Sequence, residues 1–241
     1  SRIKEIKVDK VVFFKNKKGK LLKEKIDGEG MTLSNNYVWV VSEGMPWNIR
    51  EPFTNKVTPK IYKFRLTDGI LEKMIPLPRN WLNVESITFI KNNLLVAGQE
   101  KKSKDLSRSS EINRTKIYGY KFFNQSGIKN GNIEILGTLK EIMFIEDYQI
   151  ILGLDNFRNK TFINLYDLAD IKNSYLKLKY NSWQIPKKGK WEGITYGPTL
   201  ESGAKTLLVV NDNASKKNNT SILLITPLKV NNCYKNKSFK F

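Results

Sequence analysis

Four segments of this chain align with one another, and that repeat constrains the fold more than any other feature. The first runs Gly28-Glu29-Gly30-Met31-Thr32-Leu33, then the turn Asn35-Asn36, then Tyr37-Val38-Trp39-Val40-Val41-Ser42-Glu43. The second runs Val84-Glu85-Ser86-Ile87-Thr88-Phe89, Asn92-Asn93 and Leu94 to Glu100. The third pairs Lys140-Glu141-Ile142-Met143-Phe144-Ile145 with Tyr148 to Asp155, and the fourth pairs Trp191-Glu192-Gly193-Ile194-Thr195-Tyr196 with Thr206 to Asp212. Each unit is a carboxylate, a short apolar strand, a polar turn, a strand rich in β-branched residues and a second carboxylate. The leading Glu recurs at 29, 85, 141 and 192, in steps of 56, 56 and 51 residues. Periods near 50 residues with several short strands per period are the signature of a β-propeller; helical repeats are shorter and show a 3.6-residue period.

The rest of each period is also strand-like. Lys60 to Leu66 alternates polar and apolar residues and is followed by Thr67-Asp68-Gly69 and Ile70 to Leu77, which predicts a third strand, a turn and a fourth strand. Later periods predict strands over Lys116 to Phe122, Asn132 to Leu136, Thr161 to Asp167, Tyr175 to Trp183 and Ser221 to Ile225, with Asn130-Gly131 in a loop. Val8 to Phe14 and Leu21 to Ile26 are two further strand-like runs. The expected fold is therefore all-β: one propeller domain over 1–241, of four or five blades. Residues 1–26 close the ring or form part of a blade, and 27–80, 81–139, 140–189 and 190–241 are the repeat units. Two long polar stretches, Met45 to Pro59 and Lys101 to Thr115, interrupt the pattern.

Two absences restrict the chemistry. The chain has 0 His, which excludes Ser–His and Cys–His nucleophile pairs and most zinc sites. Its 1 Cys, Cys233, forms no intrachain disulfide and no Cys metal cluster. The net charge of +19 suits an anionic partner, but Lys far outnumbers Arg and Asn is frequent, a bias that AT-rich codons also produce. Nucleic-acid sites lean on Arg as well, and most of the Trp residues fall in strand patterns, so no nucleic-acid partner is expected. No apolar run approaches the roughly 20 residues of a membrane-spanning helix.

What remains is oxygen chemistry. In a propeller the first strand of each blade lines the central channel, so Glu29, Glu85, Glu141 and Glu192 should meet near the axis. The carboxylates that close the second strands, Glu43, Glu100, Asp155 and Asp212, should return to the same end, giving one acidic mouth. Such a ring takes up protons or holds a cation, and with oxygen ligands alone calcium is the first choice and magnesium the second. The expected metal ligands are Glu29, Glu43, Glu85, Glu100, Asp155, Glu192 and Asp212. The alternative is that the repeated Glu bonds to backbone N–H groups of the next blade and staples the fold. Glu141 sits in a Lys-Glu-Ile context unlike the Glu-Gly or Glu-Ser of the other units.

The motifs resemble the phytase-like family, labelled "esterase-like activity of phytase". The residues that carry the resemblance are Asp27-Gly28-Glu29-Gly30 with Ser42-Glu43-Gly44, Asn83-Val84-Glu85-Ser86-Ile87 with Glu100, and Trp191-Glu192-Gly193-Ile194-Thr195-Tyr196-Gly197-Pro198-Thr199-Leu200 with Asn211-Asp212-Asn213. They occur in order from about residue 27 to 226. The resemblance implies a periplasmic or extracellular protein, and the acidic mouth read from the repeat adds the expectation of calcium-assisted hydrolysis of phosphoesters or other esters. Glu29, Glu85 and Glu192 would be catalytic, and Arg50 or Lys190 would face a phosphate. It leaves open a non-catalytic propeller that binds an anionic ligand or a protein at the same mouth. The expected partner is a small anionic or ester substrate, met by a monomer.

Overall fold

The structure, a computed structural model, describes residues 9–24, 26–43, 58–78, 81–100, 116–124, 127–135, 137–157, 160–176, 183–186, 190–212 and 222–225; within the strands, the side chains of 82, 83, 99, 100, 116–119, 124, 190, 212, 223 and 224 lie outside the description. The described residues form sixteen strands in four sheets, with short 3₁₀ turns only at Glu146–Tyr148 and Leu168–Asn173. The chain is thus all-β. Among the described residues no helix is long and apolar enough to cross a membrane.

Sheet one orders β1 (Gly28–Ser34), β2 (Tyr37–Ser42), β3 (Lys60–Arg65) and β4 (Leu71–Pro76) as consecutive antiparallel neighbours. Sheet two contains β5 (Trp81–Ile90), β6 (Asn93–Glu100), β7 (Lys116–Asn124) and β8 (Gly127–Ile135). Sheet three contains β9 (Thr138–Ile145), β10 (Ile150–Phe157), β11 (Lys160–Asp167) and β13 (Trp183–Ile185). Sheet four contains β14 (Lys190–Tyr196), β15 (Leu207–Asp212) and β16 (Ile222–Ile225). The remaining strand, β12 (Tyr175–Leu176), leaves the order of the chain and pairs in parallel with β8 of sheet two.

That crossover divides the run Tyr175 to Trp183, which the sequence reads as one strand. Its first residues leave sheet three because Leu168, Ile171 and Leu176 are buried with Tyr120, Ile133 and Tyr166 in the core between sheets two and three. Trp183 begins the outer strand of sheet three and is 42% exposed, whereas Trp81 and Trp191 are buried. A second difference is at Asn130-Gly131, inside β8 rather than in a loop. Gly131 lies under the Tyr120 ring, where an added Cβ would come within 2.2 Å of it and force the ring to shift. A third is at the N-terminus. Residues 9–24 contain only isolated bridges, Lys15 with Ile70 and with Leu21, in place of the two expected strands. They lie along the outer part of sheet one, where Phe14 stacks on Phe64 at 4.0 Å and Leu22 and Ile26 pack on the core of Val38, Val40, Tyr62 and Phe64.

Hydrophobic burial between successive sheets holds the sheets in order. Val41 and Ile61 of sheet one meet Trp81, Val84, Ile87 and Val96 of sheet two. Met143, Leu152 and Leu154 of sheet three meet Trp191, Ile194 and Val209 of sheet four. Sheet two is buried on both faces, so Leu94 and Val96 face one neighbour while Leu95 and Ala97 face the other. This is why β6 reads as a continuous apolar run rather than an alternating one.

The first strands pack side by side in chain order, β1 on β5, β5 on β9 and β9 on β14. Their levels match. The Ser86 hydroxyl accepts from Ile142 N at 2.6 Å, the Thr88 hydroxyl accepts from Phe144 N at 3.2 Å, and the Tyr196 hydroxyl lies 3.5 Å from the Phe144 carbonyl. Gly30 occupies the same level on β1. A Cβ there would lie 2.9 Å from Ser86 Cα and 3.1 Å from Ile87 N, so β1 and β5 reach this spacing only with glycine. At Gly193 the nearest atom to an added Cβ is the Val210 Cγ2 methyl, at 3.0 Å. Gly30→Ala is therefore expected to cost about 1–3 kcal/mol by overpacking against backbone, and Gly193→Ala less, because a side chain yields more easily. Urea unfolding of the two variants checks the order; equal midpoints would show that β1 and β5 are not held at this distance.

Candidate functional site

Each first strand carries a β-bulge at the same place. In β1 the pairing passes from Gly28–Ser42 to Gly30–Val41 and leaves Glu29 over. In β5 it passes from Val84–Gly98 to Ser86–Ala97 and leaves Glu85. In β14 it passes from Trp191–Asn211 to Gly193–Val210 and leaves Glu192. In β9 it passes from Leu139–Asp155 to Glu141–Leu154 and leaves Lys140. A bulged residue is freed from the ladder and its side chain is re-aimed, a device common beside active sites. The four equivalent positions are thus Glu29, Glu85, Lys140 and Glu192. Pairing the third repeat on Glu141 is one residue out of register.

The bulged side chains meet. Lys140 Nζ lies 2.8 Å from Glu192 Oε2 and 3.7 Å from Glu85 Oε2, with all three side chains largely buried. Burial alone would lower the Lys140 pKa; its hydrogen bond to Glu192 and the charges of Glu85, Glu192 and Glu29 outweigh that and raise it. Burial pushes Glu85 up to about 7, with Lys140 opposing the shift and the charges of Glu29 and Glu192 adding to it. Glu43, just beyond the end of β2, joins them. Its carboxyl is pushed up to about 7 by burial, by the charges of Glu29, Glu85 and Asp27, and by a hydrogen bond with Glu29. Glu29 is also raised, first by burial and then by the Asp27 charge. The cluster is a set of carboxylates from three sheets around one ammonium, with too many negative charges for that ammonium to neutralise.

Glu141 does something else. It accepts hydrogen bonds from the Ser86 hydroxyl and from Ile142 N, the latter at 3.1 Å, and so ties β9 to β5. Burial pushes it up to about 8 against those bonds. For this residue the stapling role is the observed one. Asp155 also lies apart from the cluster. It is fully buried on β10, and Asn164 of β11 donates to its Oδ2 at 2.8 Å. Glu100 and Asp212 end β6 and β15 opposite Trp81 and Lys190, but their side chains, like that of Lys190, lie outside the described residues. Arg50 lies outside them altogether.

Asp27 and Lys140 are the two members that sequence reasoning missed. Asp27 stands in the Asp27-Gly28-Glu29-Gly30 motif, and its backbone carbonyl accepts from Glu43 N at 3.3 Å. Lys140 had a signal in the departure of Lys-Glu-Ile from the other units.

A calcium or magnesium ion would need several of these oxygens to converge on one point. Among the described residues no three carboxylates do so. The Lys140 ammonium sits between Glu85 and Glu192, where a cation would compete with it. These residues therefore do not form a ready cage for either metal.

Beyond the carboxylates, a cavity of about 470 Å³ runs between the first strands, walled by β1, β5, β9 and β14 and by Glu146 just past the end of β9. Glu141 lines its wall and feels the charge of Glu85, so the cavity and the carboxylate cluster adjoin.

A family model described as "Phytase-like: Esterase-like activity of phytase" matches residues 1–124. No curated protein matches the chain. Among solved structures, a chain from "Complex of KlAtg21 with coiled-coil of AgAtg16" aligns with 80% of this chain at 12% identity and a TM-score of 0.41, and this chain covers 55% of that one. A likeness of that degree carries no functional argument.

Proposed function

The chain belongs to the phytase-like family, and from that premise we propose that it is a propeller-type, esterase-like hydrolase whose chemistry is done by the carboxylates of the bulge ring. The propeller reading is supported by the side-by-side order of β1, β5, β9 and β14 and by Glu29 and Glu192, from the first and last sheets, lying within reach of each other's charge. The observation that carries the catalytic reading is that three glutamates and a lysine occupy the same bulge in four successive sheets.

In a chain with 0 His, a carboxylate with a pKa near 7 takes the part of the neutral-pH base. Glu85 and Glu43 have that property. Water supplies the new oxygen. Its O–C bond (O–P bond in a phosphoester) forms as a glutamate takes its proton, the bond to the leaving oxygen breaks, and the proton passes to that oxygen to give an alcohol and an acid. Lys140 donates to the oxyanion that develops in the transition state. Calcium, with magnesium second, enters this reading only as a counter-ion to the excess carboxylates, with Glu100 and Asp212 as further donors. Export to the periplasm or cell exterior is part of the same proposal.

The experiment is hydrolysis of p-nitrophenyl esters and p-nitrophenyl phosphate by the wild type, Glu85→Gln and Glu43→Gln. At least one substrate is expected to be turned over, with kcat reduced about 10²–10⁴-fold in one or both variants, the usual contribution of a general base. Turnover unaffected in both variants would remove these carboxylates from the mechanism. One observation favours a non-catalytic ligand site, since Lys140, the one described cation in the cluster, is already engaged by two carboxylates. Ligand-dependent thermal stabilisation without turnover of any ester is its signature.

A further inference from the structure

The chain carries 42 Lys+Arg, yet no Lys or Arg is among the described residues that wall the cavity between the first strands. Its lining is more apolar than polar, with Leu33, Phe89, Met143 and Ile194 among the walls, and its ionisable groups are the acids Glu141 and Glu146 with the phenol of Tyr196. Met31 and Leu33, 63% and 59% exposed, both contribute apolar surface to this cavity. Thr32, Thr88 and Thr195 add hydroxyls without charge, and Thr88 already accepts from Phe144 N.

These features bear on which ester the site takes. A phosphoester brings one or two negative charges, and its binding sites supply Lys, Arg or a metal to meet them. Here the substrate would meet an excess of carboxylates at the cluster and further acid in the cavity wall. An uncharged ester avoids that repulsion, and its apolar part gains by leaving water for a lined cavity. The volume lies within the roughly 300–1,000 Å³ of small-molecule sites.

Resting on the hydrolase reading above, we infer that the cavity binds the apolar acyl or aryl part of an uncharged carboxylic ester, holding the ester group at the carboxylate cluster, and that phosphoesters are not its substrates. Hydrolysis then consumes one water and releases the carboxylic acid and the alcohol.

The test has two parts. In the first, turnover of p-nitrophenyl butyrate and of p-nitrophenyl phosphate by the wild type is compared; the butyrate is expected to be preferred at least tenfold in kcat/KM. In the second, binding of the neutral dye Nile red and its displacement by p-nitrophenyl butyrate are followed by fluorescence in the wild type, Leu33→Glu and Thr195→Arg. Leu33 and Thr195 are both exposed within the cavity, so neither substitution disturbs the buried core. Each is expected to weaken the dye about tenfold, because it places a charge against an uncharged apolar ligand. Preference for p-nitrophenyl phosphate, or dye binding that neither substitution changes, overturns the inference and leaves the hydrolase reading standing. Dye displaced by p-nitrophenyl butyrate and weakened by both substitutions, with no ester hydrolysed, upholds the cavity as a site for uncharged apolar ligands and removes the hydrolase reading instead.

Discussion

Lys140→Gln is expected to lower the melting temperature by about 5–10 °C. Removing one partner of a buried ion pair costs about 3–5 kcal/mol, because the charge left behind stays desolvated. The side chains here retain some exposure, 20% for Lys140 and 28% for Glu192, so about 2–3 kcal/mol is the fitting figure after screening. For a domain of this size each kcal/mol moves the midpoint by about 2–4 °C. The substitution removes the one described cation among Asp27, Glu29, Glu43, Glu85 and Glu192, which then repel without relief. The same experiment tests calcium as counter-ion. Added calcium is expected to raise the wild-type midpoint little, because Lys140 holds the place between Glu85 and Glu192, and to raise that of Lys140→Gln more, where the place is vacated. Glu85→Gln or Glu192→Gln added to Lys140→Gln should remove most of that response. A Lys140→Gln protein as stable as the wild type would mean that the bulge ring is not the electrostatic unit described above. A midpoint indifferent to calcium and magnesium in every variant would remove the metal from the proposal.

Lys140 also shows where sequence reasoning reaches its limit. The strand pairs, their order and the members Glu29, Glu85 and Glu192 were legible, because apolar runs and turn residues recur with their carboxylates at matching offsets. The third repeat was matched by chemical likeness, Glu to Glu, and the likeness pointed to Glu141. The equivalence lies in the backbone. A bulge places two residues opposite one, and the residue left over is Lys140. In a strand a slip of one residue turns a side chain to the other face, so Glu141 lies between β9 and β5 while its neighbour enters the carboxylate cluster. The same parity explains Asp155. It ends the aligned stretch of the third repeat as the other carboxylates end theirs, but its side chain turns inside sheet three to meet Asn164. Asp27 was visible in a motif but heads no strand, so the repeat did not single it out. Nor does anything local mark β12 as belonging to the neighbouring sheet; that follows from the long-range burial of Leu168, Ile171 and Leu176.

Stability is expected to fall as pH rises from about 5 to 8. Glu43 and Glu85 are raised from 4.5 to about 7, Glu141 from 4.5 to about 8, and Glu29 in the same direction. Above pH 4.5 the unfolded chain has released these protons while the folded chain still holds them. The folded state therefore binds more protons across this window, and the slope of unfolding free energy with pH is negative. The contribution is complete below pH 4.5 and lost as pH passes through 7 to 8. For Glu85, which is 8% exposed, a rise of that size is worth about 3 kcal/mol at most, and coupling among the four groups makes their sum smaller than four such contributions. A fall of about 5–10 °C in melting temperature between pH 5 and pH 8 in chelator is the expected result. Glu24 and Asp68, whose pKa values are lowered, titrate below this window and do not offset the slope. Replacing an ionisable carboxyl by a neutral amide removes its share, so Glu85→Gln should flatten the profile. Any cation held by the ring competes with these protons, so calcium should stabilise more at pH 8 than at pH 5. A melting temperature that rises from pH 5 to pH 8 in chelator would mean that these carboxylates are not crowded together in the folded protein, and the single acidic cluster would have to be abandoned.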